Sequence, residues 1–258
     1  STHGTHVASI AGGSGAGTEY RGIAPGVNFL FVTFLVDEGA VLDAWEWMYQ
    51  KSLEEGKRLV VNMSWGLYHA GTLDGNSVLS NAISAYTDLG VVFVNSGGNN
   101  GNVDFHLKHE FTNDTIKTRV NFYSYSAHEY MWGQSIHSWG EVGNSFSNKI
   151  QIKNSSGTVL AESPFYSTAS VSAYIDTFIV ANQDTVWYNI SADAAHPMNS
   201  RPQMRFRVKC TNQSLRVMLN STAPDGLIHY WNVTELSNDV GNWGMPFTTF
   251  QSGSISGD

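Results

Sequence analysis

The sequence predicts an α/β fold, in which a partial, doubly wound parallel sheet carries an inserted all-β sandwich with a jelly-roll-like arrangement. Over residues 1–103, near-continuous apolar runs alternate with segments of helical periodicity, as expected for strands that helices cover on both faces. Over residues 104–240, short alternating segments are separated by turn signals, which is typical of two packed antiparallel sheets. We therefore expect two domains with these bounds and a glycine- and serine-rich segment, 241–258, that returns to the first domain.

The elements of the first predicted domain follow one another with short connections. A helix rich in small residues opens the chain and ends at Gly12-Gly13. The elements after it are a buried strand over 27–36, a helix over 41–55, a strand over 58–66, a helix over 77–89 and a strand over 91–94. This order favours a right-handed arrangement whose functional sites gather beyond the carboxyl ends of the strands.

No convincing helix is predicted between residue 103 and about residue 240. The expected strands are 105–111, 118–125, 130–139, 147–153, 158–166, 172–181, 185–192, 203–211, 215–220 and 227–234. Aromatic side chains are frequent in this half, and they either fill the core, which we favour, or stack on a sugar or grip a partner protein. They include Trp132, Trp139, Trp187, Tyr188, Tyr230 and Trp231.

Charge, hydropathy and cysteine usage restrict the classes of partner. The formal net charge of -8 argues against nucleic acid and against an anionic membrane surface. No run of eighteen apolar residues occurs, so no transmembrane segment is expected. Cys210 is the only cysteine, which excludes an intrachain disulfide and predicts an inert, packed thiol. The histidines of the second half lie at no ligand spacing with carboxylates, so we predict neither a metal site nor a cofactor.

His3 stands at the start of the first helix, in the segment Ser1-Thr2-His3-Gly4-Thr5-His6-Val7-Ala8. The positive end of a helix favours a neutral imidazole, which is the form that a general base needs. Taken by itself, a histidine at this place more often caps or packs the helix start than reacts. The motifs farther along the chain decide between these two interpretations.

Four segments occur in a fixed order along the first half. They are His3-Gly4-Thr5-His6-Val7-Ala8, Ile23-Ala24-Pro25, Val61-Asn62-Met63-Ser64-Trp65-Gly66 and Val91 to Gly101. In order and spacing they resemble the subtilisin-like serine peptidases, or subtilases. The resemblance covers residues 1–101 and does not extend into the β half. It implies an internal piece of a subtilisin-like catalytic domain that carries a large β insertion.

The resemblance also implies a role for individual residues. His3 matches the catalytic histidine, and Asn99 matches the asparagine that stabilises the oxyanion of the tetrahedral intermediate. Ser64, Trp65 and Gly66 match the segment that pairs with an extended substrate as an added strand. Gly97 and Gly98 match the wall of the primary specificity pocket. Trp65 is large for this role, and the sequence alone leaves open that it belongs to the core.

Other parts of the family pattern are absent from these 258 residues. The strand with the catalytic aspartate, which precedes the histidine motif in the family, has no counterpart. The Gly-Thr-Ser-Met-Ala turn of the nucleophile has only a faint echo in Ser252-Gly253-Ser254-Ile255-Ser256, which lacks the leading Gly-Thr and the following proline. The loop over 14–22 is too short for the calcium-binding loop of some members. His6 is assigned no chemistry, and the neutral Asn100 leaves the pocket preference open.

The sequence therefore predicts part of a serine endopeptidase that hydrolyses peptide bonds of proteins by a Ser-His-Asp mechanism. Because the triad acts as a unit, we expect this chain to be inactive alone. The alternative is a noncatalytic carbohydrate- or protein-binding sandwich attached to a degenerate subtilase remnant. The predicted partner is a protein or peptide substrate, with a protein or glycan ligand for the insert as a further candidate. The predicted location is secreted, cell-surface or periplasmic, to which glycosylation sequons at Asn113, Asn154, Asn189, Asn212, Asn220 and Asn232 add weak support.

Overall fold

The computed structural model describes residues 2–33, 37–65, 74–98, 103–122, 133–234 and 247–249. In these ranges the chain forms three helices and fourteen strands. It divides into two compact units. The first unit comprises Ser1–Gly66 and Val78–Gly97, and the second comprises Leu67–Ser77 and Gly98–Asp258. The functional division into a catalytic domain (1–103), an insert (104–240) and a return segment (241–258) stays a prediction.

The first unit consists of three helices and a pair of parallel strands. The helices are α1 (Thr2–Gly12), α2 (Glu38–Glu54) and α3 (Val78–Asp88), and the strands are β1 (Val60–Met63) and β2 (Val92–Asn95). Asp37 caps α2, since its side chain accepts a hydrogen bond from the amide of Ala40 at 3.1 Å. Gly56 ends the same helix in the left-handed region with φ +60°, as its position in the sequence predicts.

One face of the β1–β2 pair packs against the apolar stripes of α2 and α3. The buried residues of this core are Val41, Trp45, Val61, Met63 and Val91. Trp45 of α2 contacts Phe93 of β2 edge to face, with ring centroids 5.1 Å apart. The opposite face of the pair is exposed at Val60, Val92 and Val94.

The predicted α/β class is wrong. Most strands are antiparallel, and among the described residues parallel pairing is limited to β1 and β2, which are covered on one face only. The predicted strand over 27–36 is also wrong where it can be examined, because residues 27–33 form no strand and Phe31 is 70% exposed. Residues 34–36 lie outside the described residues. An apolar run predicts burial, but it becomes a strand only where a neighbouring strand supplies hydrogen-bond partners.

The second unit holds the remaining strands, in two antiparallel sheets. They are β3 (His106–Phe111), β4 (Asp114–Val120), β5 (Gln134–Trp139), β6 (Ser147–Lys153), β7 (Val159–Glu162), β8 (Tyr166–Ser167), β9 (Ile175–Ala181), β10 (Asp184–Asp193), β11 (Gln203–Lys209), β12 (Arg216–Ala223), β13 (Gly226–Thr234) and β14 (Phe247–Thr249). One sheet has the order β3-β13-β5-β11-β10-β9. The other has the order β14-β4-β12-β6-β7, with β8 beside β6. We therefore describe this unit by the strand orders of its two sheets and not as the predicted jelly-roll-like sandwich.

Both sheets contribute side chains to one hydrophobic core. Its fully buried members include Leu107, Ile136, Ile150, Ile190, Phe206 and Leu219. The core also encloses polar pairs, and each bridges the two sheets. Asn148 Nδ2 donates to Ser138 Oγ at 3.1 Å, and the hydroxyls of Ser221 and Tyr230 lie 2.5 Å apart. Burial raises the pKa of Tyr230, so its hydroxyl stays protonated.

Candidate active site

The start of α1 and the end of β1 come together in the first unit. His3 lies in the first turn of α1, and its Nε2 atom is 3.0 Å from the carbonyl oxygen of Ser64, the first residue after β1. A carbonyl oxygen only accepts hydrogen bonds, so in this arrangement Nε2 is the donor and carries a proton. The imidazole is exposed, which leaves it accessible to a reacting group.

Ser64 lies where the carboxyl ends of β1 and β2 meet. The two strands run parallel with Met63 beside Asn95, so their carboxyl ends meet at one edge. The amide of Ser96 donates to Met63 O at 3.1 Å, and Ser96 Oγ donates to Trp65 O at 3.3 Å. These bonds extend the pairing of the strands by one residue and fix the backbone of Trp65.

A second side chain orients Ser64 itself. Asn62, the penultimate residue of β1, donates from Nδ2 to Ser64 Oγ at 2.9 Å. Neither Asn62 nor Ser96 was selected as a functional residue from the sequence, although each lies next to or within a matched motif. The available signal was a polar side chain directly at a strand end, where it can form hydrogen bonds with the residues that follow the strands.

The remaining predicted residues are placed as follows. Trp65 is half-buried and packs against the core of the first unit, so its ring is part of that core. Gly97 is exposed, and a Cβ at this position would meet no atom within 4 Å. Gly98 has φ +82°, a value that favours glycine, and it belongs to the second unit. Gly66 and Asn99 lie outside the described residues.

Comparison with known proteins decides the family. The model of the subtilase family matches residues 1–223. The chain belongs to the subtilase family. Among solved structures, it is similar to the CspB protease of Clostridium perfringens, with a TM-score of 0.63 and 18% sequence identity. The match covers 89% of this chain and 49% of that protein, so the chain spans about half the length of the relative, and the likeness concerns the fold alone.

In the second unit of this subtilase, His106, His109 and His229 have structural partners. His106 and His229 stack at 5.1 Å between centroids, with His106 Nε2 2.9 Å from His229 Nδ1, and Trp231 stacks on His106 at 4.6 Å. His109 Nε2 donates to Asp114 Oδ2 at 2.8 Å. Across the described ranges, no group of three or more His, Cys, Asp and Glu residues could hold a metal ion. The absence of a metal and of a cofactor in the subtilase stays a prediction.

Most of the aromatic residues named from the sequence fill or edge the core. Trp139, Tyr188, Tyr230 and Trp231 are buried, whereas Trp187 is 49% exposed. Trp132 lies outside the described residues. Cys210 is also buried, and burial raises the pKa of its thiol to about 11, which keeps it protonated at neutral pH.

Surface features of the subtilase bear on its location. No helix among the described residues has the length and apolarity needed to cross a membrane. Of the sequon asparagines named from the sequence, three are at most 2% exposed and therefore cannot carry a glycan in the folded chain, namely Asn189, Asn220 and Asn232. The number of sequons is thus no argument for secretion here.

Proposed function

We propose that this chain is part of a serine endopeptidase that hydrolyses peptide bonds of proteins by a Ser-His-Asp mechanism. Membership in the subtilase family establishes the peptidase resemblance, and the finer assignment rests on one observation. The histidine at the start of α1 and the strand-end segment that begins at Ser64 lie in direct contact, with 3.0 Å between His3 Nε2 and Ser64 O. A general base and a substrate-pairing segment have to be adjacent for peptide hydrolysis.

In this proposal His3 is the general base. It takes the proton of the serine nucleophile and later delivers a proton to the leaving amine. To accept a proton at Nε2, His3 has to release Ser64 O and hold its own proton on Nδ1. The triad's carboxylate, placed at Nδ1, favours that tautomer. The residues 1–258 are expected not to turn over peptides alone, because His3 acts only together with the aspartate and the serine.

The substrate would bind as an added strand along Ser64, Trp65 and Gly66. The carbonyl oxygens of Ser64 and Trp65 accept hydrogen bonds from His3 and Ser96 in the structure, and backbone carbonyls at a strand end are the groups to which an added strand donates. Gly97 and Gly98 would form the wall of the primary pocket. The open space at the Gly97 Cβ position supports room for a substrate side chain there.

Asn99 is proposed as the donor that stabilises the oxyanion. In the full-length protein we expect Asn99→Ala to lower kcat for peptide hydrolysis by about 10²–10³, the size usual for an oxyanion-hole donor, with little change in KM. The control is Asn81→Ala, which removes an exposed amide on α3 and should leave kcat within about threefold. Equal losses in both variants would contradict the assignment of Asn99.

The protein is also proposed to act outside the cytoplasm, as a secreted, cell-surface or periplasmic peptidase on a protein or peptide substrate. The family membership supports this location, whereas the sequons do not. The alternative function, a noncatalytic binding module on a degenerate subtilase, predicts a full-length protein without hydrolytic activity. Peptide hydrolysis by the full-length protein would therefore exclude that alternative.

A further inference from the structure

The sheet β14-β4-β12-β6-β7 has one face in the core of the second unit and one face directed outward. Its middle strands alternate between the two faces, and Ile116, Leu219 and Ile150 belong to the core. Five of the outward side chains are cations, in a chain whose fourteen lysine and arginine residues are outnumbered by acidic ones. We call this outward surface the basic face, and its cations are Lys117 and Arg119 on β4, Arg216 on β12, and Lys149 and Lys153 on β6.

The cations of the basic face lie on both sides of the middle strand, β12. Asn220 of β12 is opposite Lys117 of β4 and Lys149 of β6 in the register. Arg216 of β12 is directly opposite Lys153 of β6. Like charges in directly opposite positions destabilise a sheet. An anion bound over these positions would offset the repulsion, so the arrangement favours an anionic ligand.

One carboxylate of the chain is already held on the basic face. Glu162, on the edge strand β7, accepts a hydrogen bond from Gln151 Nε2 at 3.0 Å, and its Oε2 atom lies 3.0 Å from Lys149 Nζ. A lysine and an amide together therefore bind a carboxylate here. The other four cations, Lys117, Arg119, Lys153 and Arg216, form no ion pair with any described residue.

The remaining polar side chains of the basic face are hydroxyls and amides. Thr115, Thr222 and Ser147 are opposite one another in the register, in the row next to Lys117 and Lys149. Hydroxyls both donate and accept hydrogen bonds, as the hydroxyl groups of a sugar do. Cations beside hydroxyls and amides suit a ligand that carries carboxylates and hydroxyl groups on one chain.

Apolar groups of the basic face are confined to its rim. On the outward side of the described strands β4, β12 and β6, the apolar residue is Met218, which is 2% exposed. Val159 and Phe165 are 46% and 44% exposed and lie at the β7 edge. A folded protein partner relies on apolar and aromatic anchors, and single-stranded nucleic acid stacks its bases on exposed rings. The middle of the basic face offers neither kind of contact. Its strands are paired on both sides, so a peptide cannot add to them as a further strand.

We propose that the basic face binds an acidic polysaccharide, with the uronate carboxylates paired to the cations and the sugar hydroxyls bonded to the neighbouring amides and hydroxyls. An acidic peptide would supply the carboxylates without a hydroxyl-rich backbone. The net charge of -8 is compatible with this ligand, because screening limits the influence of distant carboxylates to about 8 Å at physiological ionic strength. The proposal is independent of the peptidase function, because it uses no residue of the candidate active site.

The test is the affinity of residues 1–258 for polygalacturonate, measured by isothermal titration calorimetry at low and at high salt. We expect binding that weakens as salt rises, and no binding of neutral dextran. The double variant Lys117→Gln, Arg119→Gln should raise the Kd about tenfold or more, because two cation contacts are lost. The matched control is Lys57→Gln, Arg58→Gln, which removes the same charge from an exposed pair in the first unit. It should leave the Kd within about threefold of that of the unmodified chain.

Glu162→Gln tests the proposal in the opposite direction. It removes the carboxylate that engages Lys149, so we expect polygalacturonate to bind about threefold more tightly. Poly-glutamate at the same carboxylate concentration is the comparison ligand, since it lacks sugar hydroxyls, and we expect it to bind more weakly. Absence of polygalacturonate binding, equal weakening by the two double variants, unchanged affinity of Glu162→Gln, or tighter binding of poly-glutamate would each overturn the proposal. Circular dichroism of every variant ensures that only folded chains are compared.

Discussion

Asp114 holds the turn between β3 and β4 through two hydrogen bonds to its carboxylate. Thr112 N donates to Oδ1 at 3.1 Å, and His109 Nε2 donates to Oδ2 at 2.8 Å. Partial burial acts to raise the pKa of Asp114, but these hydrogen bonds outweigh it and hold the pKa below the ordinary value. A carboxyl whose pKa is lower in the folded state stabilises the fold at pH values above its unfolded pKa, and this contribution disappears as the pH falls.

Asp114→Asn therefore tests this contact at the scale of one residue. We expect a lower Tm at neutral pH, since the asparagine amide is uncharged and has only one oxygen, so it cannot accept both hydrogen bonds that the carboxylate accepts. The difference in Tm from the unmodified chain should shrink as the pH falls below about 4, through the unfolded-state pKa of the carboxyl and then through its lower folded-state pKa. Thermal melts from pH 7 to pH 3 measure this. Asp225→Asn, in the turn between β12 and β13, is the matched control, and a pH-independent difference for Asp114→Asn would contradict the explanation.

At the residue scale, the sequence was informative where chemistry depends on residue type. It singled out His3 and Ser64, and the structure brings these two into contact. Ser96 was missed because its side chain bonds the end of a neighbouring strand, which no local pattern encodes, and Asn62 was missed because its bond to Ser64 Oγ depends on side-chain conformations that residue type does not specify. The role of His3 as a base stays a prediction, because the residue type alone does not define its partners.

At the element scale, alternation predicted strands well wherever neighbours were available to pair. The segment predicted over 147–153 coincides with β6, and the one over 227–234 differs from β13 by one residue. β4 begins at Asp114, four residues before the predicted start, because residues 114–117 already pair with β12. The run over 27–36 failed because apolar content does not specify a hydrogen-bonding neighbour.

Arg201 fixes the segment before α3 within the second unit. It forms an ion pair with Asp74 through Nη1, and its Nε donates to Gly140 O at 2.7 Å. Both side chains are about four-fifths buried. Asp74 Oδ1 also accepts a hydrogen bond from the amide of Asn76 at 3.1 Å. One carboxylate therefore orders the residues just before α3 and also binds Arg201, which lies 127 positions later in the chain.

Arg201→Ala should lower the free energy of unfolding by about 1–3 kcal/mol, because Asp74 and Gly140 O both lose a charged donor. Arg201→Lys keeps the charge but cannot serve both acceptors with a planar fork, so we expect an intermediate loss. Urea denaturation measures both variants. Arg216→Ala, a half-buried arginine at the start of β12, is the control. No loss in Arg201→Ala beyond this control would contradict the anchoring role.

At the scale of the whole molecule, the family could be predicted from the sequence, whereas the predicted fold class was wrong. The resemblance to the subtilases was predicted from short motifs around His3, Ser64 and Asn99, which are local in sequence, and the family model matches farther than the predicted limit at residue 101, over residues 1–223. The class depends on how many strands pair and in which direction, which is a property of the whole chain. The second unit contributes twelve of the fourteen described strands, all antiparallel, and these outweigh the one parallel pair. From the sequence we predicted more parallel sheet in the first unit than the structure contains. The α/β class was predicted from that sheet and is wrong for the same reason.

The most direct test of the central claim is labelling of the full-length protein with a serine-directed active-site probe. His3→Ala should slow labelling by about a hundredfold or more, since the nucleophile loses its general base. His6→Ala is the matched control, because His6 is also exposed and lies one turn farther along α1. We expect its labelling rate to equal that of the unmodified protein. Labelling of His3→Ala at the unmodified rate would show that His3 is not the base.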